Sequence, residues 1–223
     1  MSFKKIGFIH KKMDVILESE DDSKIMKEFF ESRTNKHVGF VRDYLKLASE
    51  EYPEYAELLQ NRGMEHDASK YRPPEYEPYV HLTWQYKQKG EGEEYQLDED
   101  MQKRIHDVTY RHCKGNKHHP EYWDNEIKEN PISFENRDQP SGITVNAIRM
   151  DRPSMIEMCC DWCSVSAERN PANEYGPMEW AEKNINHRWT FSPKQEKFIY
   201  EVLDHIWKPV TQPVQEDFIK DEE

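Results

Sequence analysis

Residues 153–163 read P-S-M-I-E-M-C-C-D-W-C. Proline is favoured in the first turn of a helix, and the residues that follow are apolar around nearly the whole circumference that a 3.6-residue period generates. A helix of that composition has to be covered on most sides, so this segment reads as a central helix with other elements packed around it. The polar residues of the same region, Ser154, Glu157, Asp161, Ser164 and Glu168, recur at helical spacing. Such a stripe also describes a solvated helix face, and periodicity alone does not decide where Asp161 points.

Working outward, helix punctuation is frequent and strand-like alternation scarce. A helix is predicted from Ser32 to Ala48, with His37, Val41, Tyr44, Leu45 and Ala48 on one inward face. A second begins near Pro53 and ends at Arg62, with Gly63 as the expected left-handed cap. The segment Pro73 to Tyr79 turns the chain into a helix that carries Trp84 and Tyr86. Asp98 caps a further helix on which Met101, Ile105, Val108 and His112 share a face, and Gly115 closes it. Pro120 opens the next turn, which leaves His118 and His119 in a connection between elements.

The stretch 128–151 is polar and interrupted by Pro131, Pro140 and Gly142, so it reads as a long loop or insertion. The last helices are expected at Pro177 and at Ser192-Pro193-Lys194-Gln195, a capping box with proline at the first helical position. The expected fold is therefore all-α: an N-terminal extension (1–31), one helical domain (32–207) and a charged C-terminal tail (208–223).

The chain has 223 residues and a formal net charge of −13, which repels an extended phosphate backbone and argues against a nucleic-acid polymer as partner. The start of the chain lacks a continuous apolar segment and a small-residue cleavage site, and no stretch approaches membrane-spanning length. A cytoplasmic protein without a membrane partner is expected. Cys113, Cys159, Cys160 and Cys163 are few and clustered, which favours reduced, buried thiols over a disulfide framework. Cys160 and Cys163 form a C-x-x-C, but the second pair that a structural zinc site needs is missing.

The ionisable residues on inward faces or between helices form a constellation: His37, the doublet His66-Asp67, His112, His118, His119 and Asp161. Imidazoles and carboxylates sharing one interior are costly to desolvate unless paired, and a metal ion offsets that cost by coordination. A nitrogen and oxygen donor set suits manganese, iron, cobalt, nickel or zinc, and the number of donors suits one or two ions.

The order His, His-Asp, His, His, Asp resembles that of the HD-domain superfamily of metal-dependent phosphohydrolases. The match includes Lys70 in H-D-A-S-K (66–70). More narrowly, the chain is similar to an uncharacterised bacterial and phage branch of that superfamily in H-D-A-S-K-Y-R-P-P-E-Y-E-P-Y (66–79), H-C-K-G-N-K-H-H (112–119), E-M-C-C-D-W (157–162) and the later S-P-K-Q-E-K. The loop 128–151 has no obvious counterpart in the superfamily core. The resemblance implies that His37, His66, Asp67 and Asp161 hold one metal, and that His112 with His118 or His119 holds a second, Asp67 bridging. It further implies Lys70 facing phosphate and a small phosphate ester or nucleotide as substrate. Asp67, Lys70 and Glu75 are the expected catalytic residues, although Glu75 also suits an ordinary acid at a helix N-terminus. Two other expectations fit the same ligand order: an HD-type di-iron oxygenase, and a nucleotide-sensing protein without turnover.

Overall fold

A computed structural model describes residues 20–131, 142–169 and 176–207. Residues 1–19 of the expected extension, 132–141 of the expected loop and the expected tail at 208–223 lie outside the described residues. The fold is all-α: seven α-helices and one pair of two-residue strands are present among the described residues. None of these helices is long and apolar enough to cross a membrane.

Helix α1 (Glu20–Glu51) starts before the expected Ser32, because its buried stripe continues backward. Met26, Phe30, Thr34, His37, Val41, Tyr44 and Ala48 are all buried and follow one another at three- and four-residue steps. The helix ends ahead of Tyr52, whose position before Pro53 disfavours helical backbone. A single 3-10 turn (Pro53–Tyr55) leads into α2 (Ala56–Glu65).

Gly63 is not the left-handed cap that its position suggested. It lies inside α2, where a Cβ would sit 3.2 Å from Leu45 Cδ1 and 3.4 Å from Arg42 Cγ, and its carbonyl accepts from Arg42 Nε at 2.9 Å. Glycine is needed there for close approach of α2 to α1. The left-handed residue comes later, at Asp67 (φ 58°, ψ 9°), a type that tolerates this region better than most.

A 3-10 turn (Ala68–Tyr71) precedes α3 (Tyr76–Glu91), which Gly92 ends in a left-handed conformation. Helix α4 (Glu99–Gly115) is capped as expected by Asp98, whose side chain accepts from Met101 N at 2.7 Å. Gly115 is its last residue, and Asn116 turns the chain with extended backbone. The chain returns through a 3-10 turn (Pro120–Trp123) to β1 (Val145–Asn146), which pairs in parallel with β2 (Trp189–Thr190). Helices α5 (Arg152–Arg169), α6 (Pro177–Asn184) and α7 (Pro193–Ile206) complete the chain, the last with the reciprocal Ser192–Gln195 capping box.

Helix α5 is central, packing on α1, α2, α6 and α7. Its Ile156, Met158, Cys159, Cys160 and Cys163 join Tyr44 and Leu45 of α1 and Ile199, Val202 and Leu203 of α7 in the main core. All four cysteines are buried and outside any disulfide, and burial pushes the thiols of Cys159, Cys160 and Cys163 up, which keeps them protonated. A smaller cluster of Met26, Phe30 and Val80 is covered by Tyr76, Tyr79 and Trp84, and the Tyr79 ring also lies 5.1 Å from Lys70 Nζ.

Candidate metal centre

Three helices, the turn after a fourth and one connection deliver the candidate ligands to one place. His37 comes from the buried stripe of α1, and His112 from the buried stripe of α4 one turn before its end. Asp161 comes from α5, while His118 and His119 lie between α4 and the turn that Pro120 opens. The doublet His66-Asp67 follows α2 directly, and the left-handed backbone at Asp67 puts the two adjacent side chains into the same interior.

Asp67 lies in the middle. Its Oδ1 is 3.1 Å from His112 Nε2 and 4.0 Å from His118 Nε2. Its Oδ2 is 3.7 Å from His37 Nε2, 4.0 Å from His66 Nε2 and 2.6 Å from Lys70 Nζ, which donates to it. His37 Nε2 also faces Asp161 Oδ1 at 3.1 Å. Donor atoms of His37, His66 and Asp161 fall within 4.8 Å of one another, as do those of His112, His118 and His119. The carboxylate of Asp67 thus separates two half-sites, and all seven candidate ligands are brought together. Both His118 and His119 reach the second half; His119 also neighbours Cys113 and Glu121.

Four buried atoms at this centre, His66 Nε2, His112 Nε2, His119 Nε2 and Asp67 Oδ1, have no hydrogen-bond partner. His112 Nε2 and Asp67 Oδ1 face each other at 3.1 Å without hydrogen-bond alignment. Orphaned polar atoms in an interior cost about 1–3 kcal/mol each. Atoms that converge without pairing are arranged as ligands of a common ion are, so the donor set fits a divalent metal.

Carboxylates stand behind the histidines. His37 Nδ1 donates to Glu168 Oε1 at 2.7 Å, and Ser164 Oγ lies 3.0 Å from the same nitrogen. His112 Nδ1 donates to Glu75 Oε2 at 3.0 Å, and Ser69 supports Glu75 with a hydroxyl hydrogen bond of 2.9 Å. Glu157 Oε1 accepts from His66 Nδ1 at 3.1 Å and stands 3.3 Å from His118 Nδ1. A carboxylate on Nδ1–H fixes the tautomer that leaves Nε2 with a free lone pair. Glu75 therefore sits behind His112 and does not reach the centre itself.

The charges complement this arrangement. Burial opposes ionisation of Asp67, but Lys70 and His66 outweigh it and hold the carboxyl well below its usual range. Asp161, Glu157 and Glu75 are lowered in the same way by the histidines beside them, against the effect of burial. Burial alone would lower His37, yet Asp161 and Glu168 push it up to about 9. His112 is also raised, by Asp67 and Glu75, against burial and Lys70. His118 is lowered by burial and by His66, and His119 falls well below its ordinary value through burial and its histidine neighbours. Without metal, then, a proton on His37 and the ammonium of Lys70 supply positive charge that the carboxylates require.

The sequence named all seven residues that converge here, Asp161 only through the resemblance, but did not single out Glu157, Glu168, Ser164 and Arg62 as their neighbours. The signal was the polar stripe of α5: Ser154, Glu157 and Ser164 are buried, so it is no solvated face but the wall against which the histidines lean. The remaining described histidines stay outside. His81 pairs with Tyr95 at 2.8 Å and His205 with Glu51 at 3.3 Å, while His106 and His187 are exposed.

The architecture defines an all-α protein with a buried histidine and carboxylate centre at the junction of four helices. A family model described as "Family of unknown function (DUF5662)" matches residues 26–205, a span that contains every residue of the centre, and the chain belongs to that family. A search of curated proteins and a search of solved structures both find no match.

Proposed function

We propose that this protein is an HD-type metal-dependent phosphohydrolase that acts in the cytoplasm on a small phosphate ester, a nucleotide being the favoured class. The observation that carries the reading is the set of unpartnered buried atoms, His66 Nε2, His112 Nε2, His119 Nε2 and Asp67 Oδ1, gathered around one central carboxylate. His37, His66, Asp67 and Asp161 would hold one ion, and Asp67 with His112, His118 and His119 a second; manganese, iron, cobalt, nickel and zinc all suit these donors. Such an ion lowers the pKa of a bound water and withdraws charge from a phosphoryl oxygen.

The chain's own groups do the rest. Asp67, between the half-sites, orients the attacking water. Lys70 and Asp161 have side chains 20 % and 19 % exposed against 0–2 % for His66, Asp67 and His112, so the centre opens to solvent at these residues. The Lys70 ammonium at that opening neutralises phosphate oxygens in a protein whose net charge of −13 would otherwise repel them. The buried side chains around the centre exclude bulk water and strengthen these interactions.

The test is release of phosphate from a panel of mono-, di-, tri- and cyclic nucleotides by protein loaded with Mn²⁺ or Co²⁺, beside Asp67→Ala. Metal-dependent hydrolysis that disappears with Asp67 is expected. An Asp67→Ala protein that has lost its metal but keeps full activity refutes the reading. Iron-dependent oxygen consumption would instead assign a di-iron oxygenase, and nucleotide binding without turnover a sensor.

A further inference from the structure

We infer that Glu157 is a positioning residue shared by the two half-sites, so that one carboxylate sets the metal affinity of both. The inference rests on the metal reading above. Of the carboxylates behind the centre, Glu168 supports only His37 and Glu75 only His112. Glu157 differs: a single oxygen, Oε1, lies 3.1 Å from His66 Nδ1 and 3.3 Å from His118 Nδ1. His66 belongs to the half-site with His37 and Asp161, and His118 to the half-site with His112 and His119. The two rings are tilted by 36° to one another, with centroids 4.3 Å apart.

Glu157 is itself fixed. Its Oε2 accepts from Arg62 Nη1 at 3.3 Å, and the same nitrogen donates to Ser154 Oγ at 2.9 Å. The group is buried, so water cannot replace a lost contact. Because Oε1 accepts from His66 and lies 3.3 Å from His118 Nδ1, it favours the proton on Nδ1 of each ring and turns each Nε2 lone pair towards the centre. Ordering one ring through this oxygen also orders the other. Occupation of one half-site therefore prepares the second, a coupling carried by a carboxylate on the Nδ1 side of both rings.

Stepwise Co²⁺ binding by calorimetry on the full-length wild type, Glu157→Gln, Glu157→Asp, Glu75→Gln and Glu168→Gln tests this, with the melting temperature of each metal-free protein measured alongside. Both Glu157 variants are expected to weaken both binding steps together, by about 10- to 100-fold. Glu75→Gln and Glu168→Gln should each weaken one step only. Glu157→Asp keeps the charge but withdraws it by one methylene, so it separates hydrogen bonding from simple Coulomb attraction; it also serves if Glu157→Gln does not fold. Wild-type affinity in Glu157→Asp, a Glu157 variant that shifts a single step, or one that lowers only the metal-free melting temperature overturns the inference and leaves the metal reading intact. A wild type that binds no Co²⁺, Mn²⁺ or Zn²⁺ overturns both.

Discussion

Raising the pH of the metal-free protein should destabilise it through one histidine. His37 is held between Asp161 at 3.1 Å and Glu168 at 2.7 Å, and these carboxylates push it from 6.5 to about 9. A group whose folded-state pKa is raised contributes stability that is fully present below its unfolded value and is lost as pH climbs through the folded one. The window is therefore 6.5 to about 9. At about 1.4 kcal/mol per pH unit, that gap makes the contribution about 3 kcal/mol. Urea unfolding in the presence of a chelator, run from about pH 6 to about pH 9.5 on the wild type and on His37→Gln, isolates the effect from other titrating groups. The wild-type stability should fall by about 3 kcal/mol more than the variant's across the window. Saturating metal should abolish this difference in slope, because a ligating imidazole carries no proton on the coordinating nitrogen. Parallel wild-type and variant curves in the metal-free protein refute the reasoning.

Lys70→Met should leave metal stoichiometry unchanged while lowering kcat by about 100-fold, since it removes a cation from the substrate side of Asp67 and no proposed ligand; metal analysis beside turnover of a responsive nucleotide checks it. Gly63→Ala should cost about 1 kcal/mol in urea unfolding, despite alanine's better helix propensity, because the new methyl meets Leu45 and Arg42 where α2 closes on α1. A stabilised Gly63→Ala would show that the contact relaxes freely.

The helical architecture was legible because its signals are local. Asp98 and Ser192 sit at caps that need only the next few residues, and the stripe through His37 and Val41 is a matter of spacing within one helix. That stripe placed His37 inward, and a separate one on α4 placed His112 inward, before any partner was known. What escaped was set by distant parts of the chain. Gly63 looks like a helix end until Leu45 and Arg42 are seen against it. The hydrogen bond from His66 to Glu157 spans 91 residues and that from His37 to Glu168 spans 131, so no window of sequence contains both members. The parallel pairing of Val145 with Trp189 is equally remote, and two-residue strands leave no alternation to find.

A helix that is greasy on nearly every side has little reason to prefer one angle about its own axis, since hydrophobic contact is non-directional. The polar line along α5 removes that freedom. Ser154 and Glu157 are engaged by Arg62, Glu157 by His66, and Asp161, Ser164 and Glu168 by His37. Turning the helix by one residue would swing these groups into hydrocarbon and leave both charges and imidazoles stranded, a loss of several kcal/mol. The stripe thus acts as a key in a lock: it admits a single rotational setting of the central helix, and the same setting assembles the histidine centre.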